Sequence, residues 1–196
     1  MDDFLYTRYK CMYIVITGNI ASGKSTIVNY IHKKYGYTII PEFTCTPRGK
    51  QLLQSYLNKS ITPIQFQCDI LDIYNEMYNN ISSTNVVFER LPEEGIEIFS
   101  YANNINEDDI NILREHNNIT ICSKQFKVYR VKSDSTCMMK IDEIIQSNTN
   151  NVLILLYNDT NTLLDRIKQR GVEGENTYTY NYINTLSKLY DEYYKD

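Results

Sequence analysis

The chain has 196 residues, of which 22% are charged and 42% are hydrophobic, and its formal net charge is −4 at pH 7. This length suits one domain with a sizeable core, so we treat residues 1–196 as a single domain. The negative charge balance disfavours nucleic acid as a partner, because nucleic-acid-binding surfaces are normally basic. No apolar run reaches membrane-spanning length and the N-terminus lacks a signal-peptide pattern, so no membrane partner is expected. Five scattered cysteines without a C-x-x-C pair favour a reducing, cytoplasmic location.

The first predicted elements are a strand, a glycine-rich loop and a helix that runs to about residue 34. The loop from Gly18 to Ser25 has the G-x-x-x-x-G-K-S spacing of the phosphate-binding P-loop. Its glycines let backbone N–H groups surround a phosphate, and the helix N-terminus adds partial positive charge. Lys24 is expected to bridge the β- and γ-phosphates, and the Ser25 hydroxyl is expected to ligate Mg²⁺. The predicted nucleotide-phosphate contacts are Gly18, Asn19, Ile20, Ala21, Ser22, Gly23, Lys24, Ser25 and Thr26.

The rest of the chain alternates between predicted strands and helices after a short leader, residues 1–11. Further strands are predicted at 37–41, 85–88, 125–131 and 152–157. Helices are predicted at 46–58, 64–80, 95–103, 108–115, 135–146, 160–170 and 178–194. Apolar strands that alternate with helices indicate an α/β fold, with a parallel β-sheet flanked by α-helices.

Polar side chains follow three of the predicted strands. The P-loop, Glu42 and the pair Glu89-Arg90 each stand at a strand end. Ligands of an open parallel sheet bind beyond the carboxyl ends of its strands, so these groups are expected to meet over one crevice. An alcohol acceptor has a proton to lose, and Glu42 suits the base that takes it. A phosphate acceptor is already ionised and needs arginines instead, and Arg48 leaves that alternative open.

Two arginines near the C-terminal end share one helix face. Arg166 and Arg170 are four residues apart, and Gly171 and Gly174 follow them. This pattern predicts a mobile lid, at about 166–176, that brings cations onto a transferring phosphoryl group. The alternative is a solvated basic helix end that complements the helix dipole.

Taken together, these motifs resemble the deoxynucleoside kinase family. The P-loop is similar to that family's G-N-I-x-S-G-K-[ST]-T, and Pro41-Glu42 matches the start of its P-E-P segment. Tyr56 and Gln67 have the spacing of its tyrosine and F-Q glutamine, Glu89-Arg90 resembles E-R-S, and 166–175 resembles R-x-x-x-R-G-x-x-x-E. The resemblance implies a P-loop kinase fold with a C-terminal lid. It also implies transfer of the ATP γ-phosphate, with Mg²⁺, to the 5′-hydroxyl of a small-molecule deoxyribonucleoside in nucleotide salvage, and a homodimer.

The resemblance also implies a role for each matching residue. Glu42 would be the base, Tyr56 and Glu175 would hold the 3′-hydroxyl, and Gln67 would pair with the base edge. The implied catalytic residues are Lys24, Glu42, Arg90, Arg166 and Arg170. The implied substrate contacts are Tyr56, Gln67, Arg90 and Glu175. The implied Mg²⁺ contacts are Ser25 and Glu89.

The chain also departs from the family pattern. Gly95 and Tyr74 stand where the deoxycytidine-type enzymes carry an aspartate and an arginine, which disfavours their type of cytosine recognition. Glu93 or Glu94 is the alternative base contact. Residues 106–150 are expected to be an insertion-like segment, since the family needs fewer residues there. The family's final strand and adenine-binding loop are expected to be absent.

Two other functions stay open at the level of sequence. The first is thymidylate kinase, because Glu42 with Thr46-Pro47-Arg48-Gly49 resembles that family's E-P-G-G-T-P-x-G. Its P-loop typically carries an acidic residue where this chain has Asn19-Ile20-Ala21. The second is a nucleotide-binding protein without catalytic activity, a scaffold or a sensor.

Overall fold

The computed structural model of the protein describes residues 12–172 and 175–195. The predicted leader, residues 1–11, lies outside the described residues. The strands are β1 (Met12–Gly18), β2 (Thr38–Ile40), β3 (Asn85–Glu89), β4 (Lys127–Lys132) and β5 (Val152–Tyr157). The longer helices are α1 (Lys24–Tyr35), α2 (Pro47–Leu57), α3 (Pro63–Asn79), α5 (Glu107–His116), α6 (Cys137–Ser147), α7 (Thr160–Arg170) and α8 (Tyr180–Tyr193). A π-helical stretch, Gly95–Phe99, continues into the short helix α4 (Ser100–Ala102).

The five strands form one parallel sheet in the order β2-β3-β1-β5-β4. β1 lies at the centre, where Ile14 pairs with Val87 of β3 and Val152 of β5. Because successive strand side chains point to opposite faces, Ile14 and Ile16 pack under α1 and α6, and Val15 packs on the other face with residues of α7 and α8. The predicted α/β fold with a parallel sheet between helices is confirmed.

Capping side chains set several helix starts. The Thr46 hydroxyl accepts a hydrogen bond from the Gly49 backbone N–H, and Thr62 accepts one from Gln65, so α2 and α3 begin at the prolines that follow. Thr179 caps α8 in the same way, which is why this helix begins two residues after the predicted start. β4 also begins late, because residues 123–125 form a 3₁₀ turn.

The segment 106–150 contributes to both the sheet and the core. Its strand β4 pairs along its whole length with β5 and forms an edge of the sheet. Its helix α6 buries Cys137 and Ile141 against the same core as α1, and α5 buries Ile110 and Leu113 beside α3. Residues 127–147 are therefore part of the central architecture, and the description of 106–150 as an insertion-like segment stays a prediction.

Candidate active site

The P-loop depends on glycine at its first position. Gly18 has a φ of +134°, and a Cβ there would lie 2.2 Å from the carbonyl oxygen of Leu156. A side chain is excluded by both its conformation and its neighbour. The Asn19 amide donates hydrogen bonds to the Ile183 carbonyl (2.8 Å) and the Ser187 hydroxyl (2.7 Å), so helix α8 holds the loop from behind.

Lys24 and Ser22 are two P-loop groups whose surroundings suit an anionic ligand. The buried Lys24 ammonium donates to the Asn19 carbonyl (3.0 Å), within the loop itself. Burial, with the Arg90 charge nearby, lowers the pKa of Lys24 to about 8. The Ser22 hydroxyl is buried and has no hydrogen-bond partner within residues 12–172 and 175–195. An unpaired buried donor and a desolvated cation both favour an anionic ligand.

Two carboxylates meet the P-loop at the carboxyl ends of β2 and β3. The Ser25 hydroxyl donates to Glu89 Oε1 (2.7 Å), and both residues line the same cavity as Glu42. Burial and the neighbouring Glu42 charge raise the pKa of Glu89. A hydroxyl and a carboxylate oxygen are ligands that suit Mg²⁺, which takes few protein groups and completes its shell with phosphates and water. No cluster of three or more acidic, His or Cys side chains placed to hold a metal occurs in the described ranges.

Arg90 joins Glu42 to the P-loop. Its Nε donates to Glu42 Oε1 (3.0 Å), and one terminal nitrogen donates to the Gly18 carbonyl (2.9 Å). The Arg90 backbone is left-handed, with a φ of +70°, a conformation that is uncommon for a non-glycine residue. Burial raises the pKa of Glu42, but the charges of Arg90 and Lys24 outweigh it and hold the pKa below its ordinary value. Glu42 is therefore ionised at neutral pH and faces the cavities described below.

Behind Arg90 lies a carboxylate that is fully buried. Glu94 Oε2 accepts hydrogen bonds from Arg90 (3.2 Å) and from the Tyr190 hydroxyl (2.7 Å), and Oε1 accepts one from Tyr194 (3.0 Å). The Thr17 hydroxyl also donates to it. Sequence reasoning offered Glu93 or Glu94 as a base contact, and the structure corrects this. Glu94 accepts hydrogen bonds from Arg90 and from Tyr190 of α8, and Glu93 accepts a hydrogen bond from the Ser123 backbone N–H (2.7 Å).

Two cavities open beside the P-loop. The first, here called the P-loop cavity, has a volume of about 620 Å³, within the roughly 300–1,000 Å³ common for small-molecule sites. The second, the tyrosine cavity, has about 140 Å³. Lys24, Glu42 and Arg170 line both, so they stand where the cavities meet. Gly23, Ser25, Thr26, Glu89 and Arg166 line only the P-loop cavity, and Ile20, predicted as a phosphate contact, lines only the tyrosine cavity.

The tyrosine cavity contains the two predicted helix residues. Tyr56 stacks on Phe66 with 4.2 Å between ring centroids, and its hydroxyl donates to Asn103 Oδ1 (3.2 Å). Gln67 is only 4% exposed, and its side chain lines the tyrosine cavity. A Cβ on Gly95 would lie 2.8 Å from Gln67 Oε1, so the glycine leaves room for this amide. A side-chain amide that lines a cavity offers both a donor and an acceptor to a polar ligand there.

The lid arginines have different environments. Arg170 donates to both carboxylate oxygens of Glu175, at 2.6 Å to Oε1 and 3.0 Å from its Nε to Oε2, beside the tyrosine cavity. Arg166 donates to the Ser133 hydroxyl (2.9 Å) and carbonyl (2.7 Å) on the other side of the P-loop. The structure therefore places Glu175 with Arg170 and in the same cavity as Tyr56. Gly174 lies outside the described residues.

Sequence reasoning missed Asn103, Tyr178 and Tyr182 of the tyrosine cavity. Tyr178 and Tyr182 stack on each other with 5.4 Å between centroids, and the Asn103 amide donates to the Tyr182 hydroxyl at 3.5 Å. The chain has 18 tyrosines, and only the position of these two in the sequence could have marked them as cavity residues. Tyr182 lies in the first turn of α8 and Tyr178 lies just before its cap, Thr179, and both closely follow the predicted lid in the sequence.

Comparison with known proteins identifies the family. The family model described as "Deoxynucleoside kinase" matches residues 14–196. The chain belongs to the deoxynucleoside kinase family. As a member of this family it is an enzyme that phosphorylates deoxynucleosides with a nucleoside triphosphate as the donor. No curated protein matches the chain.

Solved structures similar to this deoxynucleoside kinase include three of deoxyadenosine kinase from M. mycoides. One, with the products dCMP and a flexible dCDP bound, has a TM-score of 0.66 and 28% identity, covering 94% of this chain and 83% of that one. One with bound dATP has a TM-score of 0.64 and 27% identity, covering 94% and 84%. One with bound dCTP has a TM-score of 0.63 and 25% identity, covering 94% and 83%. They confirm the P-loop kinase fold.

The alternatives that the sequence left open find less support in this deoxynucleoside kinase. Arg48, the residue that kept a phosphate acceptor open, pairs with Glu76 (2.7 Å) at the protein surface and lines neither cavity.

Within the described ranges, no helix combines the length and apolarity needed to cross a membrane.

We expect Lys24→Met to raise the Kd for a nucleoside triphosphate about 10- to 100-fold, because a charge-assisted contact to phosphate is lost. In the unliganded wild type the Lys24 pKa is about 8. Triphosphate affinity should therefore fall as the pH rises above about 8, and the variant should lose this dependence. Isothermal titration between pH 6.5 and 9.5 measures both effects. Lys33→Met, an exposed lysine of the same helix, is the matched control. Equal affinity for wild type and Lys24→Met would contradict the assignment.

Proposed function

We propose that the protein transfers the γ-phosphate of ATP, bound with Mg²⁺, to the 5′-hydroxyl of deoxyadenosine. The observation that carries the choice of acceptor is the Gln67 side chain, 4% exposed, which lines the tyrosine cavity together with the ion pair of Glu42 and Arg90. A glutamine amide offers both a donor and an acceptor, as the edge of adenine requires. The similarity to a deoxyadenosine kinase supports the same acceptor. Deoxycytidine is the second candidate, because its edge also pairs a donor with an acceptor and that relative has been solved with dCMP.

The chemistry follows from the groups at the junction of the two cavities. Glu42, ionised and within reach of the tyrosine cavity, takes the proton of the 5′-hydroxyl as the oxygen attacks phosphorus. Arg90 holds Glu42 in place at 3.0 Å and lines the tyrosine cavity in which the acceptor would bind. Lys24 and Arg170 line both cavities and offset the charge that spreads over the transferring group.

The Ser25 hydroxyl and the Glu89 carboxylate would hold Mg²⁺, which would neutralise negative charge on the donor phosphates. The P-loop backbone from Gly18 to Thr26 orients these phosphates, and Arg166 approaches them from the β4 side. The sugar lies along Tyr56, with Glu175 as the partner of its 3′-hydroxyl. Tyr178 and Tyr182 enclose it and exclude water.

A phosphoryl-transfer assay tests the function directly. Radiolabelled Mg-ATP is incubated with each of the four deoxynucleosides, with adenosine and with thymidine monophosphate. The proposal expects most label on deoxyadenosine, less on adenosine and none on the monophosphate. Label on thymidine monophosphate alone would reject a nucleoside acceptor, and most label on deoxycytidine would select the second candidate.

We expect Gln67→Leu to raise the KM for deoxyadenosine about 10-fold or more with a smaller change in kcat. The substitution removes the amide that pairs with the base. The polar edge of the base is then left without a hydrogen-bond partner in the bound state, which weakens nucleoside binding. Steady-state kinetics with deoxyadenosine as the varied substrate measures it. Gln65→Leu changes the same residue type at an exposed position two residues earlier and should leave KM within about two-fold. An unchanged KM in Gln67→Leu would remove this residue from base recognition.

The proposal extends to the organisation of the protein. Residues 1–196 form one domain, and residues 166–176 act as its lid, supported by the Arg170–Glu175 pair beside the cavity. A cytoplasmic homodimer is also proposed, because the ATP donor is found inside cells and the family resemblance implies a dimer. Light scattering coupled to size-exclusion chromatography measures the oligomeric state, and a mass near 23.1 kDa would reject the dimer.

A further inference from the structure

One wall of the P-loop cavity is a turn that belongs to none of the motifs found in the sequence. Ser133, Asp134, Ser135, Cys137 and Met138 line it, between the end of β4 and the first turn of α6. We propose that this turn, residues 133–138, is the subsite for the nucleoside part of the triphosphate donor. The inference rests on the proposed function, since it assigns the donor side of the same reaction.

The sheet topology brings the turn to the reaction site. β4 runs parallel to β5 at the edge of the sheet, and β5 runs parallel to β1, so the carboxyl ends of all three strands lie on one side. The P-loop follows β1 at that side, and Ser133 follows β4 there. Ligands of parallel sheets bind beyond these ends, which makes residues 133–138 part of the same crevice.

The direction of the reaction assigns the two sides of this crevice. In phosphoryl transfer the attacking and leaving oxygens lie roughly in line on opposite sides of phosphorus. The acceptor occupies the tyrosine cavity, so the donor nucleoside must extend from the P-loop away from Tyr56 and Gln67. All residues of the turn except Thr136 line the P-loop cavity, none lines the tyrosine cavity, and the turn lies on the side toward which the donor nucleoside extends.

The turn is held firmly against the phosphate-binding groups. The Ser133 backbone N–H donates to the Tyr157 carbonyl (2.9 Å), and its own carbonyl accepts from Asn158 (2.8 Å) and Arg166 (2.7 Å). A Cβ on Gly23 would lie 3.2 Å from the Ser133 hydroxyl, so the turn and the P-loop are in close contact. The donor side of the site is therefore organised before a ligand binds.

The side chains of the turn suit an aromatic base. Met138 is half-buried at the cavity and Cys137 is buried, and both present sulfur, which packs favourably on aromatic rings. The Asp134 carboxylate accepts from the Thr136 backbone N–H (2.9 Å) and hydroxyl (2.7 Å), so it fixes the shape of the turn. The base is thus held mainly by packing against Met138.

The test compares a full nucleotide with its phosphate chain alone. Isothermal titration measures the Kd of Mg-ATP and of Mg-tripolyphosphate for wild type, Met138→Ala and Met139→Ala. Met138→Ala should weaken ATP about 2- to 10-fold, the range expected for a lost sulfur–aromatic contact, and leave tripolyphosphate unchanged. Met139 is 58% exposed and does not line the cavity, so Met139→Ala should change neither Kd.

The outcomes separate this inference from the proposed function. An unchanged ATP Kd in Met138→Ala, or an equal loss for ATP and tripolyphosphate, overturns the subsite. A wild type that binds ATP more tightly than tripolyphosphate but phosphorylates no deoxynucleoside overturns the proposed function alone.

Wild-type protein offers a second measurement that needs no variant. Irradiation with 8-azido-ATP followed by peptide mass spectrometry should place the label within residues 133–138, protected by ATP and not by deoxyadenosine. Label confined to the tyrosine cavity, or labelling of 133–138 that ATP does not prevent, would overturn the assignment.

Discussion

Glu42→Gln is expected to lower kcat about 10²- to 10⁴-fold and to leave the Kd of the nucleoside nearly unchanged. Glutamine keeps the shape and a hydrogen-bond acceptor for Arg90, but it cannot take the proton of the 5′-hydroxyl, and positioned bases contribute about this factor. Stopped-time assays at saturating donor and acceptor measure kcat, and titration with the nucleoside measures Kd.

The pH profile adds a second signature for Glu42. Arg90 and Lys24 hold its pKa below the ordinary value of a glutamate, so the carboxylate stays ionised across the neutral range. The Glu42 contribution to kcat should therefore be constant near neutrality and should be lost only as the pH falls through this lowered pKa. Glu115→Gln, at an exposed position of α5, is the control and should behave as wild type. A kcat for Glu42→Gln equal to that of wild type would remove this residue from the mechanism.

Glu94→Ala is expected to lower the free energy of unfolding by about 3–5 kcal/mol. The substitution leaves the buried Arg90 with one carboxylate partner instead of two. It also removes the carboxylate that accepts hydrogen bonds from the hydroxyls of Tyr190 and Thr17. Removing one member of a buried charge network has a cost of this size, because the remaining charge stays desolvated. Urea unfolding followed by circular dichroism measures the free energy and its m-value.

A neighbouring glutamate provides the matched control for Glu94. Glu97 also pairs with an arginine, Arg114, at 2.8 Å, but this pair lies near the surface. Exposed pairs contribute about 0–1 kcal/mol, so Glu97→Ala should change the unfolding free energy by no more than that. Equal effects of the two substitutions would show that the buried network contributes no special stability.

The sequence predicted the centre of the site because parallel topology leaves little choice. A P-loop must follow a buried strand, and Glu42 and Glu89-Arg90 follow strands that pair beside it, so the three groups meet wherever the sheet is parallel. The tyrosine and glutamine of the acceptor cavity needed the family resemblance, since a helix-face residue alone carries no signal of function. Their assignment to substrate remains a prediction.

Other features could not be predicted from local pattern. Glu93 and Glu94 look alike in sequence, yet the tertiary fold buries one between β1, β3 and α8 and leaves the other beside Ser123. The position of β4 at the sheet edge depends on strand order, which hydrophobic alternation does not encode. For the same reason, the turn after β4 gave no sign that it adjoins the P-loop.

The central place of β1 in the sheet has a consequence for synthesis on the ribosome. Ile14, Val15 and Ile16 are completely buried, but their partner strands β3 and β5 are translated much later, β5 last at residues 152–157. At a translation rate of about 5–20 residues per second, this apolar strand stays without its partner strands for roughly 7–28 s, until both β3 and β5 have been synthesised. Chaperones that shield exposed apolar segments should therefore engage the emerging N-terminal half. Chains stalled before β5 should be cleaved by protease near β1, whereas finished chains should resist.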